Sequence, residues 1–336
     1  MKMSDEHEID GQLTSQVAAR GIIERFPQDN LVYAFGYGSG VFSQSLTDPT
    51  VKGNMLDIIL VVDNAEEFHR QNMLRHPGHY ASWLRTNGAS TAAWMQQSFW
   101  LPDAKVLFLV VDDDPDFPPM KYGIVQNEDV LDDLQNWTKL YLSGRLQKPT
   151  LPILTPPDEF IDKQHQNLTA AVSAALLLSI PDAEDPSSVH LLYPTLYSMI
   201  ASLSYTGDFR MQVGGEDPMK IKKLVDAPGQ LERFNSLYRL EVLEPLHEMG
   251  LLDIKSNHVS WNPSDTYSRQ HLWGNLPANL RQDEANENLD ILAQSLSAIV
   301  APSARWQSFK GVFTLGFRKS IRYASAKLSK GLLRKR

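Results

Sequence analysis

The chain has 336 residues, 42% of them apolar and 21% charged, an ordinary globular composition with room for about two domains. It has no cysteine, which excludes disulfides, thiolate metal sites and cysteine nucleophiles. The net charge of −8 hides an asymmetry: Ile291 to Arg336 carries ten Lys or Arg and no Asp or Glu, so the first 290 residues hold 22 basic against 40 acidic side chains.

An acidic body with a basic end points to an anionic surface as partner, either lipid headgroups or nucleic acid. No segment reaches the roughly 18 to 20 uninterrupted apolar residues that span a bilayer. The best run, "LTAAVSAALLLSIP" (Leu168 to Pro181), reads as a buried helix. The start, "MKMSDEHEIDG", has neither the apolar region of a signal peptide nor the arginines of a transit peptide.

Along the chain, Gln12 to Phe26 has apolar residues at helical spacing and stops at Pro27. "LVYAF" (Leu31 to Phe35) reads as a first strand that runs into Gly36, Gly38 and Gly40, with Ser39 between the last two. Glycines so placed let backbone approach a ligand, or simply make a tight turn. Lys52 to Asp63, "KGNMLDIILVVD", is the apolar run expected of a central strand covered on both faces. "AEEFHRQNMLRHPGHYASWLR" is helical as far as His76, where Pro77-Gly78 breaks it. "AKVLFLVVDDD" (Ala104 to Asp114) and "MKYGIVQ" (Met120 to Gln126) are a third and a fourth strand, and "NEDVLDDLQNWTKLYLSGRLQ" is one amphipathic helix ending at Ser143-Gly144. Strands separated by helices predict an α/β (α+β) sheet domain over residues 1–150.

"KPTLPILTPPDEF" is proline-rich and reads as a linker. Helical patterns follow at Ile161 to Ser179, Val189 to Tyr205, Lys220 to Val225 and Gln230 to Met249, then two short strand-like runs in "GLLDIKSNHVSWNP". Helices and a small hairpin predict a winged-helix-like module over 151–290. In the last region, 291–336, Phe313, Phe317, Ile321, Ala324, Leu328 and Leu332 share one helical face, while Arg318, Lys319, Arg322, Lys327, Lys330 and Arg334 surround the other. That is the pattern of an interfacial amphipathic helix. Packing on the acidic body, or a disordered basic extension, is the plainer alternative.

The glycine loop fits neither familiar phosphate motif. A dinucleotide fingerprint needs its third glycine one residue later than Gly40, and no lysine follows as a P-loop requires. A nucleotidyltransferase pattern fits better: a strand, a Gly-Ser turn whose backbone N–H groups cradle a triphosphate, then a strand bearing acids for Mg²⁺. Ser39 stands 18 residues before Asp57, which opens "DIILVVD". Gly38, Ser39 and Gly40 are therefore the candidate cradle and Asp57 the first metal ligand, since Mg²⁺ takes one or two carboxylates plus phosphate oxygens. The acid usual two residues later is Ile59 here. Asp63 is the candidate second ligand, although it lies roughly 20 Å along an extended strand and also reads as a turn residue. Asp112 to Asp114 are alternatives. His69, His76 and His79 straddle the Pro77-Gly78 break and do not read as a zinc set.

Six ordered blocks carry a more specific signal: "YAFGYGSGVF", "MLDIILVVDN" followed by His79-Tyr80, "KYGIV", "WTKLYLSGRLQKP", "SYTGDFRM" and "LSAIVAPSARWQSFKGVFTLGFRKSIRYASAKLSKG". Together they resemble the phosphatidate cytidylyltransferases of the mitochondrial translocator assembly and maintenance family, from about residue 31 to residue 331. The resemblance implies a nucleotidyltransferase domain, a winged-helix-like domain and a membrane-associating C-terminal helix. It implies the joining of CTP to phosphatidic acid with Mg²⁺, giving CDP-diacylglycerol and pyrophosphate.

The blocks single out further residues. Lys121 and Tyr122 would meet the nucleotide or the lipid phosphate, Arg145 would bind phosphate, and Arg210 with Lys220 and Lys222 would grip phosphates from a glycine-rich loop. The plainer readings are a solvated strand-end lysine, a helix-end arginine favoured by the dipole, and an Asp208–Arg210 pair bracing the loop. The expected catalytic set is thus Asp57, Lys121 and Arg210; Gly38, Ser39, Gly40, Tyr122, Arg145, Lys220 and Lys222 bind the nucleotide, and Asp57 with Asp63 bind the metal. The expected location is peripheral, on the cytoplasmic inner face of the cell membrane for a bacterial member or the matrix face of the mitochondrial inner membrane for a eukaryotic one. A homo-oligomer is compatible with this reading; nucleic acid is disfavoured by the acidic body. The rival is a nucleotidyltransferase-fold enzyme acting on RNA or a protein acceptor.

Overall fold

The computed structural model describes residues 14–38, 40–42, 55–97, 104–182, 188–206, 220–281 and 288–314. They group into two compact units, one reaching to Asp129 and regaining Thr150–Pro157, the other holding Val130–Pro149 and Asp158–Arg305. The architecture is mixed α/β.

In the first unit helix α1 (residues 14–23) leads to β1 (Leu31–Tyr37) and β2 (Leu56–Val62), which pair antiparallel. Helices α2 (Ala65–Arg75), α3 (Ser82–Asn87) and α4 (Ala89–Gln97) follow, with a 3₁₀ turn at Pro77–His79. Next come β3 (Leu107–Val111) and β4 (Met120–Gln126), also antiparallel, and a short strand β5 (Leu151–Pro152) that joins the free edge of β1. The sheet order is β3-β4-β2-β1-β5.

The apolar run "LDIILVV" therefore occupies the central strand, as its composition requires. It runs parallel to β4 in unbroken register, from Leu56 beside Met120 to Val62 beside Gln126. Such pairing needs a long crossover, which α2, α3, α4 and β3 supply. Gly123 sits where a Cβ would come within 2.7 Å of both Phe108 and Val106 and 2.9 Å of Ile59, so the sheet closes there only over glycine. One face packs against α1 and α2 through Ile23, Phe26, Ile58, Leu60, Phe68 and Tyr122. α2 starts where the Asn64 side chain accepts from the Glu67 N–H at 3.0 Å, with Glu66 and Glu67 favoured by the helix dipole, and ends before Pro77.

The second unit departs from expectation in three places. The helix expected through Ser143 is two, α5 (Asn127–Asn136) and α6 (Leu142–Leu146). Between them the chain wraps around the buried Asp133 carboxylate, which accepts from the N–H groups of Lys139, Leu140, Tyr141, Leu142 and Ser143 and from the Ser143 hydroxyl at 2.8–3.1 Å. Trp137 and Leu140 take φ of 48° to make that wrap. After α7 (Asp158–Leu178), residues expected to start a helix form strand β6 (Val189–Leu192), and α8 (Tyr193–Leu203) starts with Pro194 in its first turn. Proline suits a helix start.

The third departure follows α9 (Lys220–Asp226). The long helix expected to Met249 is α10 (Gln230–Tyr238), a π-helical segment at Arg239–Leu243 and α11 (Glu244–Glu248). Pro245 has no N–H for the Glu241 carbonyl, and the Glu244 N–H reaches the Arg239 carbonyl instead, opening a wider turn. The expected hairpin is present as β7 (Asp253–Ile254) and β8 (His258–Trp261); with β6 it makes a three-stranded sheet, β6-β8-β7. Helix α12 (Thr266–Gly274) and α13 (Leu289–Thr314), the latter as far as Arg305, complete the unit's elements, and Ala171, Leu176, Tyr197, Ile200, Phe234 and Tyr238 lie in its core.

The segment read as a linker carries β5, paired with β1 through Phe35–Pro152 and Gly36–Leu151, and α13 runs unbroken through Ile291. Among the described residues no helix is long and apolar enough to cross a membrane. Most of the expected interfacial helix, beyond Thr314, lies outside the described residues.

Candidate active site

The glycine turn and Asp57 meet because β1 and β2 are antiparallel neighbours. Their register sets Tyr37 opposite Asp57 and Gly36 opposite Ile58. The Tyr37 hydroxyl donates to Asp57 Oδ1 at 3.2 Å. At the end of β1 the backbone turns through Gly38 at φ 75°, the left-handed region that favours glycine. A Cβ there would lie 3.8 Å from Asp57 Oδ2, an ordinary contact, so backbone conformation rather than space calls for glycine. Val41 folds back over Gly36, where a Cβ would come within 2.6 Å of Val41 Cγ1. Gly40 lies in this turn; Ser39 is outside the described residues.

On the other side of Asp57 the parallel register of β2 and β4 places Lys121 beside it. Lys121 Nζ lies 4.0 Å from the centroid of the Phe108 ring on β3, a cation–π contact that orients the ammonium. Tyr37, Asp57 and Lys121 thus form a row across three adjacent strands, and Asp112 follows the end of β3 at the same end of the sheet. A glycine turn, a half-buried carboxylate and a cation in one row can hold a polyanion and, through Asp57, a divalent cation.

Two expected site residues are placed elsewhere. Asp63 stands past the opposite end of β2, its N–H bonded to the Asn30 carbonyl at 3.0 Å, beside Asn64, Glu66 and Trp94. Because the strand between runs in unbroken register with β4, one ion cannot touch Asp57 and Asp63 together. Tyr122 points to the opposite face from Lys121. It is fully buried, its hydroxyl accepting from Asn72 Nδ2 at 3.0 Å and lying 2.9 Å from His79 Nδ1. Burial pushes its ionisation well above the ordinary tyrosine range, and its hydroxyl is engaged by Asn72 and His79 within the core.

The remaining expected residues belong to the second unit. Arg145 on α6 has its guanidinium 5.3 Å from the Tyr141 ring centroid, and Lys222 is exposed on α9. Lys220 opens α9, its side chain outside the description, and Arg210 lies outside the described residues. The histidines go separate ways: His69 is buried against Gln96 and Tyr80, His76 binds the Arg25 carbonyl at 2.9 Å, and His79 stacks on His76. Among the described residues no three His, Asp or Glu side chains are grouped as a metal set.

Tyr37 and Phe108 were not among the expected site residues. Tyr37 lies between Gly36 and Gly38, but only the hairpin register, closed over a separation of 20 residues, brings it to Asp57. Phe108 reads simply as part of an apolar strand until the register with β4 sets it near Lys121.

Comparison with known proteins gives the family of the chain. The family model described as phosphatidate cytidylyltransferase, mitochondrial, matches residues 19–289 and 279–330. The chain is 34% identical to the mitochondrial phosphatidate cytidylyltransferase of Caenorhabditis elegans, covering 93% of this chain and 98% of that one. It is 32% identical to the protein of that name from Bos taurus, over 94% and 95% of the two chains, and 32% identical to that of Schizosaccharomyces pombe, over 90% and 80%. The chain belongs to the phosphatidate cytidylyltransferase family over nearly its whole length.

Proposed function

We infer that the chain carries out its family's reaction, transfer of the cytidylyl group of CTP to phosphatidate, at the end of the first sheet where Tyr37, Asp57 and Lys121 stand in a row. The observation that supports this most is the glycine turn at Gly38 beside the Asp57 carboxylate, with a lysine on the neighbouring strand. A phosphate oxygen of phosphatidate attacks the α-phosphorus of CTP, the bond from that phosphorus to the bridging oxygen breaks, and pyrophosphate leaves. The nucleophile is already anionic, so no strong general base is needed; positioning and charge supply most of the rate.

Asp57 suits Mg²⁺, because its hard oxygens lie at the turn and Tyr37 steadies one of them. Mg²⁺ bound there would neutralise phosphate charge, with phosphate oxygens and water completing its shell. Lys121 contributes a fixed positive charge to the phosphates. Arg145, Arg210, Lys220 and Lys222 are the further phosphate-binding groups in this reading. The first unit corresponds to a nucleotidyltransferase-like domain, and the hairpin β7–β8 after a run of helices to a winged-helix-like one. Phosphatidate is anionic and membrane-bound, which suits the basic residues and apolar stripe after Thr314 to peripheral attachment. Family membership over nearly the whole chain weighs against an RNA or protein acceptor.

The position of the label tests the reaction. With phosphatidate vesicles, CTP labelled in its α-phosphate passes label into lipid while γ-labelled CTP passes it to pyrophosphate. Label in lipid from γ-labelled CTP would contradict the proposed bond cleavage.

A further inference from the structure

Behind β4, on the helix-covered face, runs a buried polar chain that the phosphate chemistry does not use. Asn72 Nδ2 donates to the Tyr122 hydroxyl at 3.0 Å and to the Tyr80 hydroxyl at 3.1 Å. From Tyr80 the chain continues to His69 Nδ1 at 2.9 Å and from His69 Nε2 to Gln96 Oε1 at 3.0 Å. From Tyr122 it continues to His79 Nδ1 at 2.9 Å, and His79 Nε2 lies 3.3 Å from Asp114 Oδ2. A buried network of this kind is retained at a desolvation cost, and its end at a partly exposed carboxylate is unlike the closed end at Gln96.

The position of that carboxylate matters. Asp112, Asp113 and Asp114 follow β3 directly, and β3 pairs with β4 so that Val110 stands beside Lys121 and Val111 beside Met120. Three consecutive aspartates therefore lie at the end of the sheet where the row of Asp57 and Lys121 opens. Free carboxylates there repel a triphosphate. The His79 side chain is 1% exposed and lies among His76, Phe117 and Tyr122 with ring centroids 4.9–5.6 Å away, so its ring has little freedom. Asp114 Oδ2, 3.3 Å from the Nε2 of this ring, lies toward the helix-covered face. Lys121 and Tyr122 are consecutive and project to opposite faces, so a hydrogen bond to Tyr122 also fixes the start of β4 at Lys121.

We propose that His79 is a positioning residue for the nucleotide end of the sheet: it holds the Asp114 carboxylate away from the face of Asp57 and Lys121, and through Tyr122 it steadies the strand that carries Lys121. The proposal rests on the reading that CTP binds beside Asp57. Loss of His79 frees the Asp114 charge to approach the phosphates, so nucleotide affinity suffers before the chemical step does.

The test compares His79→Gln, Asp114→Asn and the double variant by steady-state transfer from CTP to phosphatidate vesicles, with thermal unfolding followed in parallel. His79→Gln should raise KM for CTP roughly threefold to tenfold, the scale of one unscreened charge near a polyanion, with kcat within about twofold. Adding Asp114→Asn should return KM to the wild-type value, which repair of a merely structural defect would not do. Should His79→Gln fail to fold, His79→Asn takes its place in the same comparison; Asp114→Asn alone should leave KM for CTP within about twofold of wild type, and a KM raised beyond that overturns the proposal. An active wild type with KM unmoved in folded His79→Gln, or not restored in the double variant, overturns the proposal alone. An inactive wild type overturns the functional reading beneath it.

Discussion

The Tyr37 hydroxyl lies 3.2 Å from Asp57 Oδ1, and this contact ties the glycine turn to the acidic strand. It follows from antiparallel pairing alone: with Phe35 opposite Ile59, the next residues of the same pleat are Tyr37 and Asp57. One carboxylate oxygen is steadied while the other lies near Gly38, where no side chain intervenes.

Tyr37→Phe removes this hydrogen bond to a charged group. We expect a loss of about tenfold in kcat/KM, the lower end of the range for charged hydrogen bonds, with thermal stability nearly unchanged. Wild-type kinetics in this variant would remove Tyr37 from the site.

Lys121→Met keeps an aliphatic chain over Phe108 and deletes the charge. The expected result is a fall in kcat/KM of roughly 10²-fold, comparable to loss of one preorganised electrostatic group. Lys121→Arg should recover part of it. Equal activity in all three chains would show that Lys121 is a solvated strand-end residue.

The readable part of this arrangement and the hidden part differ in range. β2 is legible because a near-continuous apolar run can only be buried on both faces, and Asp57 because it opens that run at a fixed distance from the glycines. The expectation that Lys121 and Tyr122 both meet the nucleotide overlooked strand alternation, which turns consecutive side chains to opposite faces. The pairing of Tyr37 with Asp57 was not, because register depends on a hairpin closed across the intervening chain. Nor was the break after Asn136: Asp133 ends a helix by collecting five N–H groups that follow it in sequence, an event decided by chain wrapping rather than propensity.

Burial lowers the His69 pKa to about 4 from an ordinary 6.5, partly offset by its hydrogen bond to Gln96. The folded chain thus keeps His69 neutral where the unfolded chain protonates it. The unfolded state binds the extra proton in this window, so stability is undiminished above pH 6.5 and falls as pH drops from 6.5 toward 4. The share due to His69 is about 3 kcal/mol at most. Denaturant unfolding of wild type and His69→Gln should show a shallower acid slope in the variant; equal slopes would contradict it.

Truncation after Thr314 leaves α13 whole and removes eight of the ten basic residues beyond Ile291, keeping Arg305 and Lys310. Binding to anionic vesicles should fall by well over tenfold, since each basic residue near such a surface is worth roughly 1 kcal/mol. Flotation with liposomes checks this, and undiminished binding would place membrane attachment elsewhere in the chain.

The most direct measurement of the central claim is transfer of α-labelled phosphate from CTP to phosphatidate vesicles by wild type and by Asp57→Asn in the presence of Mg²⁺. The account expects lipid-soluble label from wild type and a loss of at least roughly 10²-fold in the variant, with the fold intact by circular dichroism. Undiminished transfer by a folded Asp57→Asn chain would contradict it.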